Sequence, residues 1–302
     1  MELWLLAAFL PPLLFSVNNI IDQFVSRDYF ANSVRAFLCL GGMVNLAVLP
    51  FAYLFNPDVF HIEYGQALLL IIGGLIYMCA CFPYIKALQS DDASHAIPLF
   101  QIVPLFVLAL GWITLGETLT TKQLIAGAII FLGSVGIVWD FSTHIVKGRL
   151  YVLMALSSFL FAIYVTLMRF GAVELDWITT LFWIMAGWSL FGLILFCLCQ
   201  NTRQTVLQTI KESKGKVIGI SCIQEGADIL GAASLAFAMV LAPSAALLIV
   251  IVNGLQPLFA ILLSGICGLF FPRLFTPIKL NRDLIQKLIC SFIMFYGMYL
   301  LI

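Results

Sequence analysis

Apolar runs about 20 residues long recur along this chain, parted by short polar connections, and they constrain the fold more than any other feature. A bilayer core about 30 Å thick is crossed by roughly 20 apolar residues of helix. Windows bounded by polar residues or by Pro and Gly fall near 3–24, 33–55, 66–88, 94–115, 121–139, 149–170, 177–199, 216–240, 244–268 and 285–302. They predict an all-α integral membrane protein of ten transmembrane helices. Membrane-barrel strands are excluded because they are about 9–11 residues long and alternate in polarity. Of the 302 residues, 63% are apolar and 10% charged, against about 25% charged in an ordinary soluble domain, so a water-soluble globule is excluded too. The longest connections, Gln200 to Gly215 and Pro272 to Gln286, leave no room for a soluble domain. The start, Met1-Glu2-Leu3-Trp4, lacks the positive region of a signal peptide, so the first span is expected to be retained.

Fifteen Lys and Arg balance fifteen Asp and Glu, which leaves no basic surface for nucleic acid. The expected partners are membrane lipid and a small-molecule substrate. All eight cysteines (Cys39, Cys79, Cys81, Cys197, Cys199, Cys222, Cys267 and Cys290) lie within the spans and without zinc-ligand spacing. They read as small buried apolar residues, and neither metal nor cofactor is expected.

The chain resembles itself. Ala87 to Phe106 and Ala238 to Phe259 both pass from a small-residue turn, Ala93-Ser94-His95-Ala96 or Pro243-Ser244-Ala245-Ala246, into a run ending Pro-Leu-Phe. Leu14 to Asn18 likewise matches Leu160 to Tyr164. The reading is two five-helix repeats, 1–145 and 146–302. An odd number of spans inverts one copy relative to the other, with a site expected near the midplane between them, an arrangement that alternating-access carriers use.

Ala87-Leu88-Gln89, Asp92-Ala93-Ser94, Pro104, Leu115-Gly116-Glu117-Thr118-Leu119-Thr120 and the Gly-rich run Gly127 to Gly136 resemble the EamA-like, ten-helix branch of the drug/metabolite transporter superfamily. The resemblance implies secondary transport of small metabolites through a cavity between the halves, and both termini inside. The second copy departs from the Gly-Glu motif, reading Gly268-Leu269-Phe270-Phe271-Pro272. If Glu117 caps the following helix, that half must end its ninth span differently.

Polar groups inside the spans are the candidate site, since a central Asp costs about 2.5–3.5 kcal/mol to insert and intramembrane acids are functional candidates by default. Glu225 and Asp228 in the eighth span share a helix face at i, i+3. Two such charges in low dielectric do not both ionise cheaply, and a bound proton or cation relieves them. Asn253 and Gln256 precede Pro257, which withdraws the hydrogen bond to the Asn253 carbonyl; Gln101 precedes Pro104 in the matching span. The two prolines are expected hinges. Asn18 and Asp22 share a face of span one, and Asp22 reads equally well as a helix-end partner of Arg27. In the repeat register Tyr77 matches Asp228 and Tyr164 matches Asn18, so an aromatic and an acid can face each other, which suits an ammonium. Tyr84 joins these as a candidate, whereas Lys86 is expected to snorkel or to pair with Asp91 or Asp92. Trp183 and Trp188 read as lipid-facing or packing residues more than as ligands.

Assigned to the nearest connection, thirteen Lys and Arg follow the odd-numbered spans, and only Lys122 and Arg169 lie on the other side. The count puts both termini outside the cell (inner) membrane, against the expectation from the family. No nucleophile–base motif is present, and His61, His95 and His144 sit at span ends, so an enzyme is not expected. The reading is a secondary transporter of an amine-bearing metabolite (amino acid, amine or polyamine), with Glu225, Asp228 and Asp22 as proton-coupling candidates. The alternatives are a proton-coupled carrier of another small metabolite such as a nucleotide derivative, and a non-transporting bundle or receptor.

Overall fold

The computed structural model describes residues 3–31, 33–88, 100–138, 148–270 and 282–301. The described residues are helical almost throughout and contain no strand. The helices are α1 (Leu3–Ala7), α2 (Leu10–Asp28), α3 (Val34–Phe55), α4 (Tyr64–Leu88), α5 (Val103–Leu110), α6 (Thr121–Val138), α7 (Gly148–Glu174), α8 (Trp177–Leu198), α9 (Gln200–Glu212), α10 (Lys216–Leu241), α11 (Ala245–Phe270) and α12 (Arg282–Leu301). Seven stretches are long and apolar enough to cross a membrane, and the shorter apolar helices Val103–Leu115, Thr121–Gly136 and Leu288–Leu300 accompany them among the described residues. The chain is therefore a multi-pass membrane protein.

Three expectations change. The first span is not continuous, because Pro11 and Pro12 open α2 after the separate turn α1. Prolines lack the N–H that would tie a helix to its preceding turn. The Gln200 to Gly215 connection is mostly a helix, α9, whose Thr202 and Val206 are buried while the rest of its surface is largely polar; α9 packs on α3 and α8. Such a helix is too polar to cross a membrane and was legible only as polarity. The fourth span is broken beside Pro104 rather than bent within one continuous helix: Phe100 is helical, Gln101 and Ile102 form a turn, and Pro104 stands in the first turn of α5, where the missing N–H costs nothing. The 94–99 portion of that span, including His95, lies outside the described residues, as do Asp91, Asp92 and His144.

The helices before residue 139 pack chiefly on those after residue 147. α4 lies against α7 and α8, α10 against α2, α3 against α8, α5 against α7 and α11, α11 against α2, and α6 against α12. Small residues permit the closest crossings. A Cβ on Gly42 would come within 2.8 Å of the Gly192 backbone, where α3 crosses α8. A Cβ on Gly133 or Gly136 of α6 would come within 2.6 Å of Met294 or Cys290 of α12. The Gly-rich run thus serves contact within the chain. Of the described cysteines only Cys39 is buried; Cys79, Cys197 and Cys222 are exposed on the bundle surface, where the solvent is lipid, and Cys81 lines an internal cavity.

Candidate functional site

α2, α3, α4, α5, α7, α8, α10 and α11 surround a cavity of about 130 Å³. Its lining includes Asn18, Asp22, Tyr77, Tyr84, Tyr164, Glu225, Asp228, Asn253 and Gln256, and so unites all but one of the candidate ligand residues. Asp22 is 8% exposed and sits more than a turn before the end of α2, which removes the helix-end reading of that residue.

The acids hold each other through neutral amides. Asn18 Nδ2 donates to Asp22 Oδ2 at 3.4 Å and to Asp228 Oδ1 at 3.3 Å, and the Tyr77 hydroxyl donates to Asp228 Oδ2 at 2.9 Å. Glu225 is held separately: Asn45 Nδ2 donates to its Oε2 at 2.6 Å and Gln224 Nε2 to its Oε1 at 3.3 Å. Gly41 of α3 leaves the room for that carboxyl group, which a Cβ there would overlap. Asn45 had no sequence signal beyond being a lone amide in an apolar run.

Aromatic rings line the cavity beside the acids. Tyr84 meets Phe100, Phe100 meets Phe161, and Phe161 meets Tyr77, with centroids 5.0–5.3 Å apart. Tyr77 also packs at 4.8 Å on both Tyr164 and Trp188. Trp188 therefore lines the cavity instead of facing lipid, while Trp183 donates through Nε1 to Val59 O at 2.8 Å and holds the connection after α3. Lys86 lies outside the lining, with its ammonium 5.8 Å from the Phe82 ring.

Gln101 is the exception among the candidates. It is buried outside the lining, and its Nε2 donates to Asn253 O at 3.2 Å while its Oε1 lies 3.2 Å from Ser134 Oγ. The carbonyl that Pro257 strips of its helical donor is thus satisfied by a neighbouring helix, as a bare carbonyl in an apolar interior requires. Gln101 is a strut between α11 and the start of α5. The Gln256 carbonyl is covered in the same way by Ser16 Oγ at 2.9 Å.

Six buried side-chain polar atoms have no partner among the described residues: Asn18 Oδ1, Asp22 Oδ1, Asn45 Oδ1, Trp188 Nε1, Asn253 Nδ2 and Ser158 Oγ. The first five belong to residues that line this one cavity. An unsatisfied buried group costs about 1–3 kcal/mol, so their concentration marks a place built for a polar guest. Among the described lining residues there is no Lys, Arg or His, and no cluster of His, Cys, Asp and Glu could hold a metal ion.

The model of the EamA-like transporter family matches residues 2–139. This segment belongs to the EamA-like transporter family, within the drug/metabolite transporter superfamily. The EamA-like segment supplies α2, α3 and α4, hence Asn18, Asp22, Asn45, Tyr77 and Tyr84. No curated protein matches the chain in sequence. One protein of known crystal structure aligns over 99% of this chain and 95% of its own, with a TM-score of 0.60 at 15% identity, a likeness of fold. The family match over residues 2–139 points to a membrane transporter of small molecules.

Proposed function

We propose that the protein is a secondary transporter of a small amine-bearing metabolite, moved by alternating access between two inverted five-helix repeats. The carrying observation is the cavity itself: three buried carboxyl groups, aromatic rings beside them, and no cationic side chain among the described lining. An ammonium satisfies all three conditions, through charge at the acids and cation–π attraction at the rings. A volume of about 130 Å³, where a water needs about 10–15 Å³ on that measure, suits a metabolite and not a peptide.

The packing supports the repeats. Exchanging the first five spans for the second five turns the α4–α7 contact into α10–α2, α5–α7 into α11–α2 and α4–α8 into α10–α3, all of which occur. The α3–α8, α5–α11 and α6–α12 contacts map onto themselves. The same exchange carries the Tyr77–Tyr164 contact onto the Asp228–Asn18 hydrogen bond.

Amine flux in proteoliposomes should collapse for Glu225→Gln and for Asp228→Asn while both variants fold; unchanged flux in both rejects the assignment. The separation of Glu225 from the Asp22–Asn18–Asp228 network favours a second reading, in which Glu225 carries a coupling proton. An imposed pH gradient that leaves flux unaltered counts against it.

A further inference from the structure

The polar atoms without partners on the cavity wall are of two kinds. Asn18 Oδ1, Asp22 Oδ1 and Asn45 Oδ1 accept, and they suit the N–H groups of an ammonium. Trp188 Nε1 and Asn253 Nδ2 only donate, and both are uncharged. Trp188 is 1% exposed and Asn253 is 8% exposed, so bulk water does not serve them. A carboxylate brought to these donors would lie in a cavity with three acids and no described cation, whereas a hydroxyl or carbonyl oxygen meets no such repulsion. Resting on the amine reading above, we propose that Trp188 and Asn253 read an uncharged hydrogen-bond acceptor on the substrate. The site then selects amines carrying a hydroxyl or carbonyl and rejects those carrying a carboxylate, which narrows the substrate class to exclude amino acids.

The test is calorimetric titration of the detergent-purified protein with phenylethylamine, its hydroxylated relative phenylethanolamine, and phenylalanine. Phenylethanolamine should bind about tenfold more tightly than phenylethylamine, the worth of one added buried hydrogen bond, and phenylalanine should bind weakest. Trp188→Phe, which keeps a ring and removes the N–H, should shrink the ratio between the two amines to less than about threefold. Should that variant fail to fold, Asn253→Val provides the same comparison. Equal binding of the two amines by the unaltered protein, or a preference for phenylalanine, overturns this inference and leaves the amine reading standing. Binding of none of the three overturns the amine reading itself.

A different set of contacts, outside the cavity, carries a second inference. The α5 helix ends in a π-turn, Gly111–Leu115, stopped by Gly116 at φ 64°. That left-handed residue turns the chain so that Glu117 reaches across the bundle. Glu117 Oε1 lies 2.8 Å from Arg169 Nε of α7, its Oε2 accepts from the Ala245 N–H of α11 at 2.9 Å, and an Arg169 guanidinium N–H donates to the Met239 carbonyl of α10. The pair is nearly buried, 12% and 13% exposed. Glu117 therefore does not cap the helix that follows it; Thr120 and Gln123 do that for α6. It caps α11 instead, in the other half of the molecule, where a carboxylate suits the helix dipole. We infer that Glu117 and Arg169 form a latch that closes one face of the bundle, the face carrying the Leu241–Ala245 connection, and that it opens when the halves rock.

Cys81, which lines the cavity, is the reporter, with the other cysteines replaced. In proteoliposomes a membrane-impermeant thiol reagent applied at the latch face should label Cys81 about tenfold faster in Arg169→Gln or Glu117→Gln than with the latch intact. Labelling from the opposite face should not accelerate. Arg169→Lys, which keeps the charge, should stay near the intact rate. Both Glu117→Gln and Arg169→Gln should retain phenylethylamine binding, since neither residue lines the cavity. Unchanged labelling, or equal acceleration from both faces, overturns the latch. If neither variant folds, Gly116→Ala, which strains the turn that presents Glu117, should give the same one-sided acceleration.

Discussion

Two groups of residues around the cavity, one of acids and amides and one of aromatic rings, are chemically opposite and meet at Tyr77. In the first, Asp228 is held by Asn18 and by the Tyr77 hydroxyl; in the second, the Tyr77 ring packs on Tyr164. Under the proposed exchange of repeats, the acid–amide pair Asp228–Asn18 corresponds to the ring pair Tyr77–Tyr164. The difference teaches that side chains on packed helices can give one cavity both an acidic and an aromatic lining. A guest with one charged end and one apolar flank has a single favoured orientation there.

Substitutions in each group sharpen the contrast. The largest effect is expected from Asp228→Asn, which should weaken phenylethylamine binding by about 100-fold or more, since a desolvated charge pair that loses one partner costs about 2–5 kcal/mol; titration of the purified variant reads it. Gly41→Ala should come next, because its methyl group displaces the Glu225 carboxyl group; a stability loss of about 1–3 kcal/mol would appear as a lower melting temperature. Gln101→Leu should cost about 1–2 kcal/mol of stability by leaving Asn253 O without a donor, with binding barely changed because Gln101 stands outside the lining. The smallest effect is expected from Phe161→Leu in the aromatic group, about threefold in phenylethylamine affinity, the scale of one modest cation–π contact. An aromatic substitution that costs more than Asp228→Asn would reverse the assignment of the two groups.

Much of this was legible before any coordinates. Intramembrane Asp, Glu, Asn and Gln are expensive enough that each needs a reason, and all but one of the candidate ligand residues so singled out line one cavity. Gln101 was misread because proline chemistry reveals which carbonyl is released but not which group answers it. Cys79, Cys197 and Cys222 were misread as buried because in a membrane an apolar residue is equally content facing lipid, so hydropathy does not separate inside from outside. Trp188 was weighed as a lipid-facing or packing residue and Asn45 carried no signal, since a Trp or a single amide in an apolar run is ordinary until its neighbours are known. Gly116-Glu117 was noticed as a motif, but its partners Arg169 and Ala245 are 52 and 128 residues away in sequence.

The sequence by itself determined the solvent this chain lives in, the approximate limits of its helices and the short list of polar residues inside them, because those follow from hydropathy and local spacing. Only the tertiary structure decided which of those residues meet. It set Asn18 between two acids, sent Glu117 across to another helix, turned Gln101 into a strut and gathered five residues with unpartnered polar atoms around one cavity. The reason is physical: a helix's periodicity tells which residues share its face, but which face meets which is settled by the close packing of all the helices together, where a single glycine such as Gly42 or Gly41 decides how near they come.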